Sequence, residues 1–442
     1  MNNVDQLKDK LESSFIVFEN ELNGQSNSPV HKLRQKAFKI FEEKGFPTKK
    51  DEEWRYTNLR PVLKPDYRIF TENENPIDFK DVKKFFLTDV DTYKLVFIDG
   101  VFSSWLSETT HSKFDICTLS SMLDKYEDVT KKYFNKALPQ DESFVAINTA
   151  FAKEGAFIRI KKNQTVDKPV QVLFITSKLK HDAFFQPRNL IVLEENAEVT
   201  IVERHQSLSD NNVLTNSATE IFAEKSSRLH YYKVQNDNHN SSLIDNTTVQ
   251  QFGKSSVNIG TFSFGNKFVR NNLNIMIQEE FTETYMDGIT ILGDGQVVDH
   301  HTLANHKYPN CYSSELYKGI YDGNSKGIFN GKVMVHPDAQ KTNAFQQNNN
   351  ILLTDKASVD TKPQLEIFAD DVKCSHGCTI GQLNEDAMFY MQARGIPAKE
   401  AKALLLYAFA NDGLRNVKIK ELRKKLNKLI ATKLKVDLDF EL

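Results

Sequence analysis

Apolar positions open the chain at helical spacing. Val4, Leu7, Leu11 and Phe15 fall on one face of a 3.6-residue repeat and predict an amphipathic helix. A second helix is signalled by Ser28 as N-cap, Pro29 in the first turn and an apolar face of Leu33, Ala37, Ile40 and Phe41, with Gly45 and Pro47 to end it. From about Tyr93 the character changes. YKLVFI and VFSSWL flank Asp99-Gly100, a dipeptide suited to a two-residue hairpin turn. Residues 1-92 therefore read as a helical region and 93-155 as a mixed connecting region.

Between 156 and 380 short β-branched and aromatic runs alternate with Asn, Ser, Gly and Lys turn clusters, without long helical periodicity. Three stretches resemble one another: NLIVLEENAEVTIVE (Asn189 to Glu203), ATEIFAEKSSRLHYY (Ala218 to Tyr232) and TTVQQFGKSSVNIGT (Thr247 to Thr261). Their turn positions, Asn196, Ser226 and Ser255, recur at a spacing typical of stacked repeats. A sandwich would also supply many short strands. One pattern, two strand pieces around a small polar turn, carried through the whole region favours a parallel β-helix or solenoid with an apolar column on its axis. The open ends of such a stack need cover, and the flanking helical regions are the candidates for it.

Residues 381-442 return to helix. Asn384 caps a segment that opens on Glu385 and Asp386 and closes at Gly395. Ile396-Pro397 begins another, with an apolar stripe of Ala401, Leu404, Leu405, Ala408 and Phe409. A third runs through Ile419, Leu422, Leu426, Leu429 and Ile430. The fold class is mainly β with α flanks.

Length and charge narrow the function. At 442 residues the chain exceeds the roughly 250–300 at which a single core stops growing, so several domains or an elongated shape is expected. Its 57 basic and 59 acidic residues leave a net charge of -2, which lacks the footprint of a nucleic-acid binder. The start, charged from Asp5 onward, has no apolar core of a secretory signal, and no run reaches the roughly 18 apolar residues of a membrane span. A cytoplasmic protein without membrane insertion is expected. Four cysteines, Cys117, Cys311, Cys374 and Cys378, are too sparse for a disulfide framework and should be reduced thiols.

Two of those thiols carry the most informative chemistry. In EIFADDVKCSHGCTIGQL (Glu366 to Leu383), Cys374, His376 and Cys378 stand two residues apart in strand-like sequence, so two sulfurs and an imidazole would share one face. Thiolate and imidazole suit iron, copper and zinc, and Lys373 supplies a nearby positive charge. Taken alone, the run also fits buried structural cysteines and a locally satisfied histidine. Three residues only half-build a tetrahedral site, so a metal here would need ligands from elsewhere. A second cluster, DHHTLANHKYPNC, holds His300, His301, His306 and Cys311, but without helical H-x-x-x-H spacing, and Asp299 could simply orient one imidazole. The basic run from Lys418 to Lys435 keeps helical apolar spacing and reads as a docked helix with a solvated cationic face. Gly293, Gly295 and the glycines of DGNSKGIFNGK fit no phosphate loop and read as turns of the stack.

At the level of whole motifs the chain resembles the SufD members of the SufB/SufD family, which belongs to the SUF iron-sulfur cluster assembly system. The resemblance is carried by DEEWRYTNL (Asp51 to Leu59), AINTAFAKEG (Ala146 to Gly155), DHHTLANH (Asp299 to His306), ELYKGIYDG (Glu315 to Gly323), FNGKVMVHPDAQKTNAFQQNNNILL (Phe329 to Leu353), ADDVKCSHGCTIGQL (Ala369 to Leu383) and FYMQARGI (Phe389 to Ile396). These segments span most of the chain in family order.

The resemblance implies a right-handed parallel β-helix between N-terminal and C-terminal helical regions. It implies pairing with SufB through the β-helices, docking of the ATPase SufC on the C-terminal helices around Ala401 to Phe409, and no ATP site in this chain. By the same resemblance, His376 of the K-C-S-H-G motif contributes to a transient iron-sulfur cluster or iron site shared with SufB. Cys374 is the second candidate, and Cys378 stands where family members often carry alanine. The expected protein is a scaffold without turnover of its own, with self-pairing in the absence of SufB left open. Other readings are a SufB-like paralogue, a stand-alone metal-binding protein, and a β-helix carbohydrate-active enzyme, the last requiring secretion and clustered carboxylates.

Overall fold

The computed structural model describes residues 3–21, 28–69, 77–109, 111 and 114–435. Strands that alternate inward and outward side chains, broken at regular intervals by a left-handed corner, wind the chain into a parallel β-solenoid of about eight turns. One sheet runs from the hairpin strand Val101–Phe102 through Tyr93–Ile98, Val170–Thr176 and Glu198–Ser207 to Lys373–Gly381. The other runs from Phe114–Thr118 through Ala156–Ile160 and Arg188–Leu193 to Ser358–Ile367. Pairing along both is parallel, apart from the hairpin and the Phe114–Thr118 pair. Asp99 and Gly100 both have positive φ, at 51° and 78°, and form the expected turn.

The corners explain the repeat seen in the sequence. Asn196, Ser226 and Lys254 take φ of 58°, 60° and 58°, so the third corner falls on Lys254 and not on its neighbour Ser255. Each corner's backbone N–H donates to a carbonyl of the next coil, Asn196 to Lys225 at 3.0 Å and Ser226 to Gly253 at 2.9 Å. Phe281, Asn310 and Lys341 continue the series of left-handed corners. Backbone groups that a single strand–turn–strand unit would leave unpaired are thereby satisfied between coils.

In-register parallel pairing stacks like positions into columns along the lumen. One column reads Ile201, Tyr231, Ile259, Met286, Glu315, Gln346 and His376, apolar at its start and polar at its end. Where aromatic rings crowd the axis, glycine takes the facing position. A Cβ on Gly288 would lie 2.3 Å from the Tyr317 ring.

The helices dress the outer faces of the solenoid. Helix Asn3–Glu21 buries Leu7, Leu11, Phe15 and Phe18, and Phe15 stacks on Phe38 of helix Pro29–Lys44 with centroids 4.1 Å apart. Ser28 caps the latter by accepting from the His31 N–H. The same cluster continues into Leu214, Ile244 and Phe268 of the second sheet. At the other end of the chain, helices Ala398–Asn411 and Lys420–Leu434 pack on Phe262, Ile289, Ile291 and Ile320 of the first sheet. The buried face of Ala398–Asn411 is Ala401, Ala403, Leu406, Tyr407 and Ala410, rotated from the expected stripe. Leu404 and Leu405 are half-buried and Ala408 is exposed, because a segment apolar on every side lets the partner surface choose the face. Helix Lys420–Leu434 matches its expectation, with Leu422, Leu426 and Ile430 buried under a cationic face. The flanks therefore cover faces, and the last coil is left without cover among the described residues. Every residue of Ser358–Ile367 and Lys373–Gly381 is half-buried or exposed.

Candidate functional site

Strand Lys373–Gly381 pairs on one side with Asn343–Leu352, matching Ala344 to Cys374, Gln346 to His376 and Asn348 to Cys378. Paired residues of parallel strands share a face, and Ala344, Gln346 and Asn348 all point into the lumen. The thiol, imidazole and thiol therefore line one face, as the two-residue spacing predicts. They stand at the mouth of the solenoid.

Their environments differ. Cys374 packs on the lumen cluster, and burial raises its thiol pKa, partly offset by a backbone hydrogen bond from Ala344. Cys378 is exposed and its Sγ donates to Thr361 Oγ1 of the opposing strand at 3.3 Å. His376 is exposed above Gln346, whose Nε2 donates to Glu315 Oε2 at 2.7 Å. Burial pushes the Glu315 carboxyl up to about 7.

Strand geometry limits what these three donors do unaided. Positions two apart on a strand start about 6.6 Å apart at the backbone, so their side-chain donors must lean together to share one ion. Two ligands of one iron or zinc ion sit about 2.0–2.3 Å from it, and so less than about 4.6 Å from each other. Among the described residues, no group of three or more His, Cys, Asp or Glu side chains is placed to hold a metal ion.

Exposed apolar side chains also gather at the mouth. The free edge of Lys373–Gly381 is a row of open backbone donors and acceptors. Around it lie Ile367, Phe368 and Ile380, and helix Glu385–Ala393 beyond it buries none of its residues, with Phe389 72% exposed and Tyr390 61% exposed. Exposed aromatics grouped beside an open strand edge mark an interaction surface.

The second histidine cluster disperses. His300 accepts from Asn271 Nδ2 through Nδ1 and bonds Thr290 through Nε2, and burial lowers its pKa to about 4. His306 bonds Ser313 at 2.9 Å and is likewise lowered to about 4 by burial. The Cys311 thiol donates to backbone carbonyls of Pro309 and Glu279. His301 faces outward instead, bridging Glu53 at 3.0 Å and Asp299 at 3.1 Å. This exposes the purpose of two motifs that sequence reasoning left unexplained. The segment around Glu53, Trp54 and Thr57 is clamped onto the solenoid: Thr57 Oγ1 donates to Asp299, and Arg270 bonds the Glu53 carbonyl and Asp299. Burial works to raise the Asp299 carboxyl, but the charge of Arg270, with that of His301 adding to it, holds it below the usual carboxylate range.

A parallel β-solenoid flanked by helices, with thiol and imidazole donors on its last coil, defines the class of protein. The chain belongs to the SufBD family of the SUF iron-sulfur cluster assembly system. Residues 6–172 match the SufBD protein N-terminal region, and residues 174–409 match the SufBD core domain of SUF system FeS cluster assembly. An iron-sulfur cluster assembly SufBD family protein of Synechocystis is 32% identical over 93% of this chain and 92% of its own. The iron-sulfur cluster assembly protein SufD of Escherichia coli is 28% identical over 85% and 87% of the two chains. SufD of Bacillus subtilis is 26% identical over 70% and 72%.

Proposed function

We propose that this chain is the SufD-like scaffold subunit of a SUF assembly, pairing through the mouth of its solenoid with the paralogue SufB. The observation that carries the reading is the uncovered last coil, where an open strand edge, exposed aromatics and the Cys374–His376 face coincide. Partner ligands would complete a site for which the described residues of this chain bring no full ligand set together, and a nascent iron-sulfur cluster or iron would be held there as cargo. His376 is the leading donor, a neutral imidazole being a suitable ligand for iron beside a partner thiolate. Cys374 is the second donor, and Cys378 has no required role.

SufC would dock on the C-terminal helices, where Leu404, Leu405 and Ala408 of Ala398–Asn411 remain outside the packed face. The subunit turns over no substrate of its own in this reading. Among the described residues no helix is long and apolar enough to cross a membrane. The reading places the work in the cytoplasm, where thiols stay reduced.

Co-expression with SufB and SufC from the same organism, purification, and reconstitution with iron and sulfide followed by absorbance test it. The His376→Ala complex should purify intact and form clusters poorly. A variant that assembles clusters normally would sink the site assignment, and a wild-type chain that fails to co-purify with SufB would sink the pairing.

A further inference from the structure

The polar end of the lumen column has no part in the site as so far described. Glu315 and Gln346 are 3% and 1% exposed, on adjacent coils directly behind His376. Gln346 Nε2 is engaged by Glu315 Oε2, yet Gln346 Oε1 is buried and meets no hydrogen-bond donor. An amide that turns its nitrogen to one neighbouring coil turns its oxygen away from that coil. The next coil along the column carries His376. Adjacent parallel strands lie about 4.8 Å apart, within reach of a side-chain hydrogen bond between same-face neighbours.

We infer that Glu315 and Gln346 are a positioning pair for His376: Glu315 anchors the Gln346 amide, whose unpartnered oxygen is held ready to accept one imidazole N–H once the ring turns onto it, leaving the other ring nitrogen's lone pair at the mouth. Histidine ligands are commonly fixed in this way through the nitrogen that does not meet the metal. Here the fixing group comes from inside the solenoid, so it is in place before any partner arrives. The inference deepens the proposed function and rests on His376 being its donor.

The test reads the imidazole itself in the isolated full-length chain. With 15N-labelled histidine and the His376 signals assigned by their loss in His376→Ala, the wild type should show one protonated and one unprotonated ring nitrogen at pH above the ring's titration. Gln346→Leu and Glu315→Leu should average the two nitrogens, whereas Glu315→Gln, which keeps an acceptor for the Gln346 amide, should restore the wild-type pattern. Averaged nitrogens in the wild type would overturn the inference without any variant. So would a wild-type pattern in folded Gln346→Leu. In the SufB–SufC complex, Gln346→Leu and Glu315→Leu should slow cluster formation about tenfold or more, with Glu315→Gln retaining it. A fixed tautomer together with normal assembly in His376→Ala would leave the positioning pair standing and remove the proposed function. An averaged tautomer with impaired assembly would do the reverse.

Discussion

Arg270 lies over the ring of Trp54, with its guanidinium carbon 4.2 Å from the ring centroid, while its Nη1 reaches Asp299 at 2.6 Å. One fully buried cation, ion-paired to Asp299 within the solenoid, thus ties the N-terminal segment to it by ring stacking on Trp54 and by a bond to the Glu53 carbonyl at 2.9 Å. Removing one partner of such a buried pair strands the other charge, at about 3–5 kcal/mol. Arg270→Ala should therefore lower the melting temperature markedly and raise hydrogen exchange at 51–59. Arg270→Lys should recover part of the loss, because an ammonium keeps the charge but not the planar stack. Equal protection of 51–59 in Arg270→Ala and wild type would show that the clamp does not depend on this residue.

His306 gives the fold an acid limit. Burial lowers its pKa to about 4, below the ordinary value of 6.5. Between those values the unfolded chain binds a proton that the native chain refuses, so stability falls as pH drops from about 6.5 to about 4, by at most about 3 kcal/mol for this group. His300, lowered likewise to about 4, acts in the same window and the same direction. His306→Gln removes one of these titrations. Its melting temperature should sit below that of the wild type at pH 7.5 and approach or pass it by pH 5. A constant offset across that range would show that His306 does not titrate with unfolding.

Ala at position 288 should be poorly tolerated. The added Cβ would fall 2.3 Å from a carbon of Tyr317, a ring buried in the lumen between coils, so the ring or the coil must shift. Overpacking of this kind costs about 1–3 kcal/mol. Gly288→Ala should lower the melting temperature, and Gly288→Ala with Tyr317→Leu should recover much of it. Gly295→Ala meets no such contact and should differ in kind, its cost coming from a φ of 74° at a corner.

What the sequence made legible was local, and what it hid was contact between distant segments. The Ser28 cap, the Asp99-Gly100 hairpin and the corners at Asn196 and Ser226 are each written within a few residues and appear where the residue types place them, while the third corner moves one residue, from Ser255 to Lys254. The shared face of Cys374, His376 and Cys378 follows from strand parity alone. Glu315 and Gln346 could not be placed behind His376 without the register between coils, which no short motif states. The clamp was hidden for the same reason: Glu53 and His301 are 248 positions apart. Helix Ala398–Asn411 fails differently, since ALLLYAFA is apolar on every side and only the solenoid surface selects the buried one.

The four thiols should separate by reactivity. Cys378 is exposed, Cys374 is half-buried with a raised pKa, burial pushes Cys117 up to about 11, and Cys311 is buried. Alkylation needs an accessible thiolate. Iodoacetamide followed by peptide mass spectrometry should therefore label Cys378 first and Cys374 more slowly, with Cys117 and Cys311 last. Labelling of Cys311 ahead of Cys378 would contradict the placement of the last coil.

Phe389 and Tyr390 offer the most direct handle on partner binding, because they are exposed on a helix that buries none of its own residues. Substitutions at such positions change the stability of the lone chain by no more than about 0.5 kcal/mol. At an interface, buried aromatics carry much of the binding energy, and a charge placed among them goes unpaired. Phe389→Asp with Tyr390→Asp should leave the melting temperature of the isolated chain unchanged and abolish co-purification of SufB. SufC, docking on helices packed elsewhere on the solenoid, should still be retained. Loss of SufC with retention of SufB would reverse the assignment of the two surfaces, and loss of neither would remove the helix Glu385–Ala393 from both.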